Sequence, residues 1–159
     1  MGFIRIEECL DRLRRLVIEY RTELVVFAAV LPRWSRPMLV RRADETPGTP
    51  MQMQGVKGVT MRMMVGRADG APNFAMRHFT VEPGGNTPHH SHNYEHEIFI
   101  VEGAGRAESD GEFHDICAGD VLFVEPNTVH QFVNTGTAPL KFLCMVPMTF
   151  DCGKPTPGS

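Results

Sequence analysis

Apolar and polar positions alternate in short segments over most of the second half of the chain. The segments are VTMRMMVG, NFAMRHFTVEPGG, HEIFIVEG, GRAES, EFHDIC, DVLFVEP, VHQFVN and LKFLCMVP. A period of two is typical of strands with one buried face, and Asp110-Gly111 favours a two-residue hairpin turn. Short strands without a second helical pattern predict an all-β sandwich or barrel and exclude a parallel α/β sheet.

A different period marks the start of the chain. Residues 5–31 contain no Gly or Pro, and their apolar side chains recur three and four positions apart until Pro32. This stripe predicts an amphipathic helix that packs on its own domain or on a second subunit, with docking on a membrane surface or another partner as the alternative. We therefore predict an N-terminal helical extension at 1–36, a β domain at 37–150 and a C-terminal tail at 151–159.

Composition narrows the class of protein and of partner. The 159 residues are 42% hydrophobic and 22% charged, as expected of a globular domain. A formal net charge of −3 disfavours nucleic-acid and anionic-membrane partners, so a small molecule is expected instead. The apolar run at 24–31 is too short for a transmembrane span, and the acidic residues before it disfavour a signal peptide. With four scattered cysteines, a cytoplasmic location is expected.

Histidines are concentrated in one segment, HHSHNYEH, which holds four of the seven in the chain. On an extended strand His90 and His92 point to the same face, and His96 keeps this parity. His130 has an even position in the neighbouring segment VHQFVN. Neutral imidazoles suit one divalent transition metal ion, whether Mn, Fe, Ni, Cu, Co or Zn. The spacing therefore indicates a metal site, with a polar loop before a strand as the alternative.

Two spaced motifs in this region resemble those of the cupin superfamily. The first comprises Gly84, His90, His92, the ligand position 96 and Gly103, and the second comprises Gly119, Glu125, Asn127, His130 and Asn134. Fifteen residues separate the two motifs, a spacing similar to that of small single-domain cupins. His96 stands where the family usually has Glu, which resembles a four-histidine, metal-binding subgroup. Glu125 and Asn127 replace the usual Pro and Gly, and Asn tolerates a positive φ.

The resemblance implies a cupin jelly roll, a double-stranded β-helix barrel, over 37–150. It implies four metal ligands, His90, His92, His96 and His130. Glu97 is the rival to His96, because the family also allows its acid one residue later, but its odd parity disfavours it. Glu95 and Glu97 are then expected at the surface or hydrogen-bonded to a ligand histidine. The other histidines, His78, His89 and His114, are expected to have no ligand role.

The function implied by the resemblance is that of a metal-dependent enzyme, dioxygenase-like, acting on a small organic molecule. Isomerase and lyase activity also occur in the family, and a non-catalytic small-ligand or metal-responsive binding module is the alternative. No general acid or base can be assigned from the sequence. Because small cupins often dimerise, a homodimer is expected as well.

Parity also predicts the surroundings of the metal. Three apolar residues share the parity of the histidines and are predicted to line a pocket above the ion, namely Ile98, Ile100 and Phe132. Arg62 and Arg77 are expected to face solvent, as charged strand residues usually do, with binding of a carboxylate in the barrel mouth as the alternative. Cys144 is expected to be a packing residue.

Overall fold

The computed structural model describes residues 38–150, so the predicted helix at 5–31 and the tail at 151–159 lie outside the described residues. The chain divides into two compact units, Met1–Val40 and Arg41–Ser159, and the fold described below is that of the second. In the described range no helix is long and apolar enough to cross a membrane. The expected cytoplasmic location stays a prediction.

Nine strands and two single-turn 3-10 helices make up the described part of the second unit. The strands are β1 Thr49–Pro50, β2 Lys57–Val65, β3 Phe74–Asn86, β4 His96–Glu102, β5 Ala104–Ser109, β6 Glu112–Cys117, β7 Val121–Val124, β8 His130–Val133 and β9 Leu140–Pro147. The helices are Arg67–Asp69 and Met148–Phe150. Each alternating segment of the sequence contains one of these strands, which confirms the all-β prediction.

All pairings are antiparallel, and the strands form one curled sheet in the order β6-β5-β8-β3-β9-β4-β7. Off this path, β2 pairs with β3 and β1 pairs with β2. The Asp110-Gly111 turn connects β5 to β6, because Ser109 pairs with Glu112 across it. Both turn residues have positive φ, 49° and 87°, as a two-residue hairpin requires. The curled antiparallel sheet is the predicted jelly-roll barrel.

Alternation along β4 and β9 places the core inside the barrel. In β4 the buried residues His96, Ile98 and Ile100 alternate with the exposed Glu97 and Phe99. The inward residues of β9 are Leu140, Phe142, Cys144 and Val146, all of them buried. Phe142 stacks on Phe79 of β3 with ring centroids 5.1 Å apart. The strand that begins with His96 is thus fixed by apolar packing on its inner face.

Candidate metal centre

The four predicted ligands come from two loop positions and two strand starts. His96 is the first residue of β4 and His130 the first of β8. His90 forms an isolated antiparallel bridge with His130, in which each backbone N–H donates to the other's carbonyl, at 3.2 and 2.9 Å. An extended strand was expected to include both His90 and His92. In the structure only His90 takes part in strand pairing, through this bridge, and His92 lies in a loop.

The structure brings three of the four predicted imidazoles within reach of one another, and it places the fourth, His96, beside two of them. His90, His92 and His130 each present a ring nitrogen within 4.8 Å of the others. His96 joins them through its Nε2, which lies 2.8 Å from the Nε2 of His92. Its ring centroid is 5.2 Å from that of His130. Two of these residues are almost fully buried, with 5% of His96 and 2% of His130 exposed, so they face the barrel interior rather than solvent.

Backbone carbonyls orient three of the rings. The Nδ1 atoms of His90, His92 and His130 lie 3.0, 2.8 and 3.0 Å from the carbonyl oxygens of Pro88, Tyr94 and Thr128, respectively. A nitrogen that faces a carbonyl must carry the proton, so each Nδ1–H donates and each Nε2 keeps its lone pair. This is the tautomer that binds a metal ion through Nε2. The histidines present therefore fit a divalent transition metal.

The contact between His92 and His96 also fits a shared ion. Imidazole nitrogens bind such ions at about 2.0–2.1 Å, so two of them at right angles on one ion are about 3 Å apart. The observed separation of 2.8 Å between the two Nε2 atoms is close to this value. It is also the length of a hydrogen bond between the two rings. The other nitrogen of His96, Nδ1, lies 3.5 Å from the Sγ of Cys144. If Nε2 of His96 held a metal, its Nδ1 would carry the proton and could donate to this sulfur.

Burial keeps the rings in the neutral form that ligation needs. Desolvation, with a smaller effect from nearby His130, lowers the pKa of His92 to about 4. Desolvation also lowers the pKa of His130. For His96 desolvation lowers the pKa most, and the positive charge of Arg77 lowers it further. These three rings are therefore neutral near pH 7 and available as nitrogen donors.

A small cavity of about 40 Å³ adjoins the histidines inside the barrel. His96 and His130 form part of its wall, and Phe79 and Phe142 add aromatic surface. Of the three predicted pocket residues, Ile98 and Phe132 line this cavity. Ile100 is fully buried in the core cluster and is not among the lining residues. The wall of the cavity is mostly apolar and includes a few polar side chains.

Arg77 is one of these polar groups, and the expectation that it faces solvent is wrong. It is only 9% exposed and lines the cavity together with Cys144, to whose Sγ its Nη2 donates at 3.1 Å. Arg77 has the same parity in β3 as the buried Phe79 and Val81, so the alternation of that strand carried the signal. Arg62 in β2 is half-buried, and its guanidinium bonds to Thr46 and Thr80.

Tyr94 supports the centre in a way that sequence reasoning missed. Its ring stacks on that of His92 with centroids 3.7 Å apart and an angle of 3° between the planes. The opposite face of Tyr94 stacks on Phe150 at 4.5 Å. Tyr94 therefore holds His92 both by stacking and through its backbone carbonyl. Neither contact has a local sequence signature, because both depend on the loop conformation.

The remaining candidates lie apart from the four-histidine cluster. Glu97 is exposed, and within the described part it makes no hydrogen bond to a histidine ring. His89 is exposed and pairs with Glu108 at 2.9 Å. His114 is also exposed, and His78, although buried, has the opposite parity to Arg77 in β3. None of these three histidines belongs to the cluster.

Comparisons with known proteins identify the family and the fold. A family model described as a cupin domain matches residues 77–146. The chain is 31% identical over 112 residues to an oxalate-binding protein of Thermotoga maritima, covering 69% of this chain and 93% of that protein. It is 38% identical over 65 residues to an uncharacterised protein of Methanocaldococcus jannaschii, of which it spans 52%, with 40% of this chain covered.

Among solved structures, the chain is similar to a polyketide cyclase from Streptomyces resistomycificus. The superposition has a TM-score of 0.67 at 28% sequence identity and covers 70% of this chain and 80% of the cyclase. Since this similarity extends over most of both chains, it reflects a shared barrel and not only a shared histidine motif.

Proposed function

The chain belongs to the cupin superfamily, and we propose that it is a metal-dependent enzyme acting on a small organic molecule. The observation that carries this proposal is the convergence of His90, His92 and His130, with His96 in contact with His92. Two of these histidines, His96 and His130, line a cavity. Three of the rings are held by carbonyls so that their Nε2 atoms are free to bind one divalent ion. Mn, Fe, Ni, Cu, Co and Zn all accept such donors.

The residues of the chain prepare the site for chemistry in three ways. The carbonyl-bonded Nδ1–H groups fix the ring orientations, so little reorganisation is needed on ligation. The apolar walls, including Ile98 and Phe132, exclude water from the inner side of the site. Arg77 adds a fixed positive charge to the cavity wall. A bound ion supplies Lewis acidity and, with Fe, Mn or Cu, redox chemistry with dioxygen.

Two reaction classes are compatible with this donor set. A dioxygenase-like oxidation is our first candidate, because four neutral ligands leave coordination positions for substrate and the apolar wall suits a largely apolar reactant. A non-redox reaction that polarises a carbonyl is the second, supported by the similarity to a polyketide cyclase. A binding module without turnover is the alternative to both.

Metal exchange distinguishes these candidates. We expect the Fe- or Mn-loaded protein to consume dioxygen with one member of a panel of small carboxylic acids, diketones and phenols, and the Zn-loaded protein to consume none. An oxygen electrode and mass spectrometry of products formed under ¹⁸O₂ measure this. The same product from the Zn protein without dioxygen would contradict the oxidation and favour the non-redox class. Tight ligand binding without product for any metal would leave the binding module.

We also propose that the chain forms a homodimer. Four apolar side chains are 42–76% exposed on the outer faces of the neighbouring strands β4 and β7, namely Phe99, Val101, Val121 and Phe123. Such a patch is commonly covered by a second subunit. Light scattering should give twice the mass of one chain, and Phe123→Glu should lower it. Phe113→Glu is the matched control on β6, because Phe113 is similarly exposed, at 60%. A monomeric wild type would exclude the dimer.

A further inference from the structure

Arg77 is a buried guanidinium without an acidic partner among the described residues. Its Nε has no hydrogen-bond partner there, and its Nη2 donates to the Sγ of Cys144, which is a weak acceptor. Its guanidinium carbon also lies 5.3 Å from the ring centroid of Phe79. Burial of a cation without a carboxylate disfavours folding. A buried, unpaired Arg therefore points to a partner that comes from outside the chain.

The place of Arg77 identifies where such a partner would bind. Arg77 lines the same cavity as the ligand candidates His96 and His130. Thr87 also lines this cavity, and because its Oγ1 accepts from the N–H of Phe132 at 2.8 Å, its hydroxyl hydrogen remains free to donate. A water needs about 10–15 Å³ of such space, so the 40 Å³ present suits a group of about three heavy atoms.

The positive charge around the cavity favours an anionic ligand. The four imidazoles are neutral as ligands, so a divalent ion and Arg77 together place three positive charges in one buried region. No described Asp or Glu forms an ion pair with Arg77. Of the two acids that flank His96 in sequence, Glu95 is half-buried and Glu97 is exposed on the outer face. An anionic ligand would neutralise part of this charge.

We propose that Arg77 binds the carboxylate of the substrate, so that the site acts on small carboxylic acids. The inference rests on the proposed metal centre and names its substrate class. The planar guanidinium can bind a carboxylate or a phosphate through two hydrogen bonds. The small cavity favours the carboxylate, because it has three heavy atoms and a phosphate has five. The carboxylate would accept hydrogen bonds from Arg77 on one side and face the metal ligands on the other. Arg77 thus determines substrate specificity.

A purely positioning role for Arg77 makes different predictions. In that case Arg77 would act only by holding Cys144, whose sulfur contacts the Nδ1 of His96. Removal of the sulfur in Cys144→Ala would then have the same effect as removal of the guanidinium. Removal of Arg77 would also destabilise the fold. If Arg77 serves a ligand, its replacement by an apolar residue of similar length relieves an unpaired buried charge and leaves stability equal or higher.

Binding of acetate and of its neutral isostere acetamide to the Co²⁺-loaded protein tests the proposal, with calorimetry and the visible absorption of Co²⁺ as readouts. We expect Arg77→Met to weaken acetate binding about 10- to 100-fold, the usual effect of losing a charge-assisted hydrogen bond, and to leave acetamide binding unchanged. The melting temperature of the metal-free Arg77→Met variant should equal or exceed that of the wild type. Arg77→Lys keeps the positive charge but loses the paired N–H donors of the guanidinium, so it should weaken acetate binding less than Arg77→Met does.

Two variants serve as controls, with metal content and circular dichroism measured for each. Arg62→Met removes a guanidinium that already has partners and does not line the cavity, so it should bind acetate as the wild type does. Cys144→Ala removes a sulfur that lines the cavity and contacts His96, so it should weaken acetate binding, but less than Arg77→Met does. If Arg77→Met bound acetate with the affinity of the wild type, the inference would be overturned and the metal centre would stand. A loss of acetate affinity in Cys144→Ala as large as that in Arg77→Met would have the same consequence. Failure of the wild type to take up Co²⁺ would overturn the metal centre and this inference with it.

Discussion

His96→Ala should lower the affinity of the chain for a divalent transition metal more than about 100-fold, because loss of a direct ligand exceeds the 10- to 100-fold effect of losing a supporting group. The ring of His96 is buried, and its Nε2 lies 2.8 Å from that of His92, so alanine leaves no other donor in that place. Competition for Co²⁺ or Zn²⁺ with a chromophoric chelator measures the affinity. Circular dichroism establishes that the variant is folded.

Glu97→Gln is the matched control for His96→Ala. The two residues are adjacent in β4, but Glu97 is exposed and paired in register with Phe123 and Met145 on the outer face. We expect this variant to retain its metal, and His130→Ala to lose it as His96→Ala does. Loss of metal from Glu97→Gln with retention by His96→Ala would mean that a bulge brings the acid into the site. Retention by all three would place the ion elsewhere.

The strands were predictable where one face of the sheet is buried. The inner residues of β9, such as Phe142 and Val146, are almost fully buried, and their partly exposed neighbours alternate with them. Local alternation therefore specified both the strand and the direction of its side chains. The same rule gave the inward direction of His96 in β4. The Asp110-Gly111 turn was equally local, because it depends on two residues that tolerate positive φ.

The assembly of the site was less predictable, because its residues are positioned by the conformation of a loop and by a contact distant in sequence. His92 reaches the cluster from a loop and is held by the ring of Tyr94, and the N–H of Asn127 donates to the His92 carbonyl at 2.6 Å. Asn127 has a φ of 69°, consistent with the tolerance expected of Asn. Arg77 departs from the general rule that charged strand residues face solvent, because the parity of its own strand directs it inward with Phe79 and Val81.

The second large effect expected is on the stability of the barrel. Gly103, the last residue of the first motif, has a φ of 84°, and a Cβ added there would overlap the carbonyl oxygen of Pro139 and lie 3.0 Å from the Cα of Leu140. The left-handed conformation costs an alanine about 1–2 kcal/mol, and forced displacement of packed backbone adds about 1–3 kcal/mol. We therefore expect Gly103→Ala to lower the free energy of unfolding by about 3 kcal/mol or more.

Gly111→Ala separates the two causes of this loss. Gly111 has a similar φ of 87°, but a Cβ there meets nothing within 4 Å, so only the conformational cost of about 1–2 kcal/mol applies. Thermal denaturation of the metal-free proteins should show a fall on the order of 10 °C for Gly103→Ala and a few degrees for Gly111→Ala. Equal falls would mean that backbone conformation alone requires glycine at 103. A larger fall for Gly103→Ala would show that the motif glycine is required because the β4–β5 connection passes directly against the start of β9, the strand whose inner side chains form one wall of the cavity.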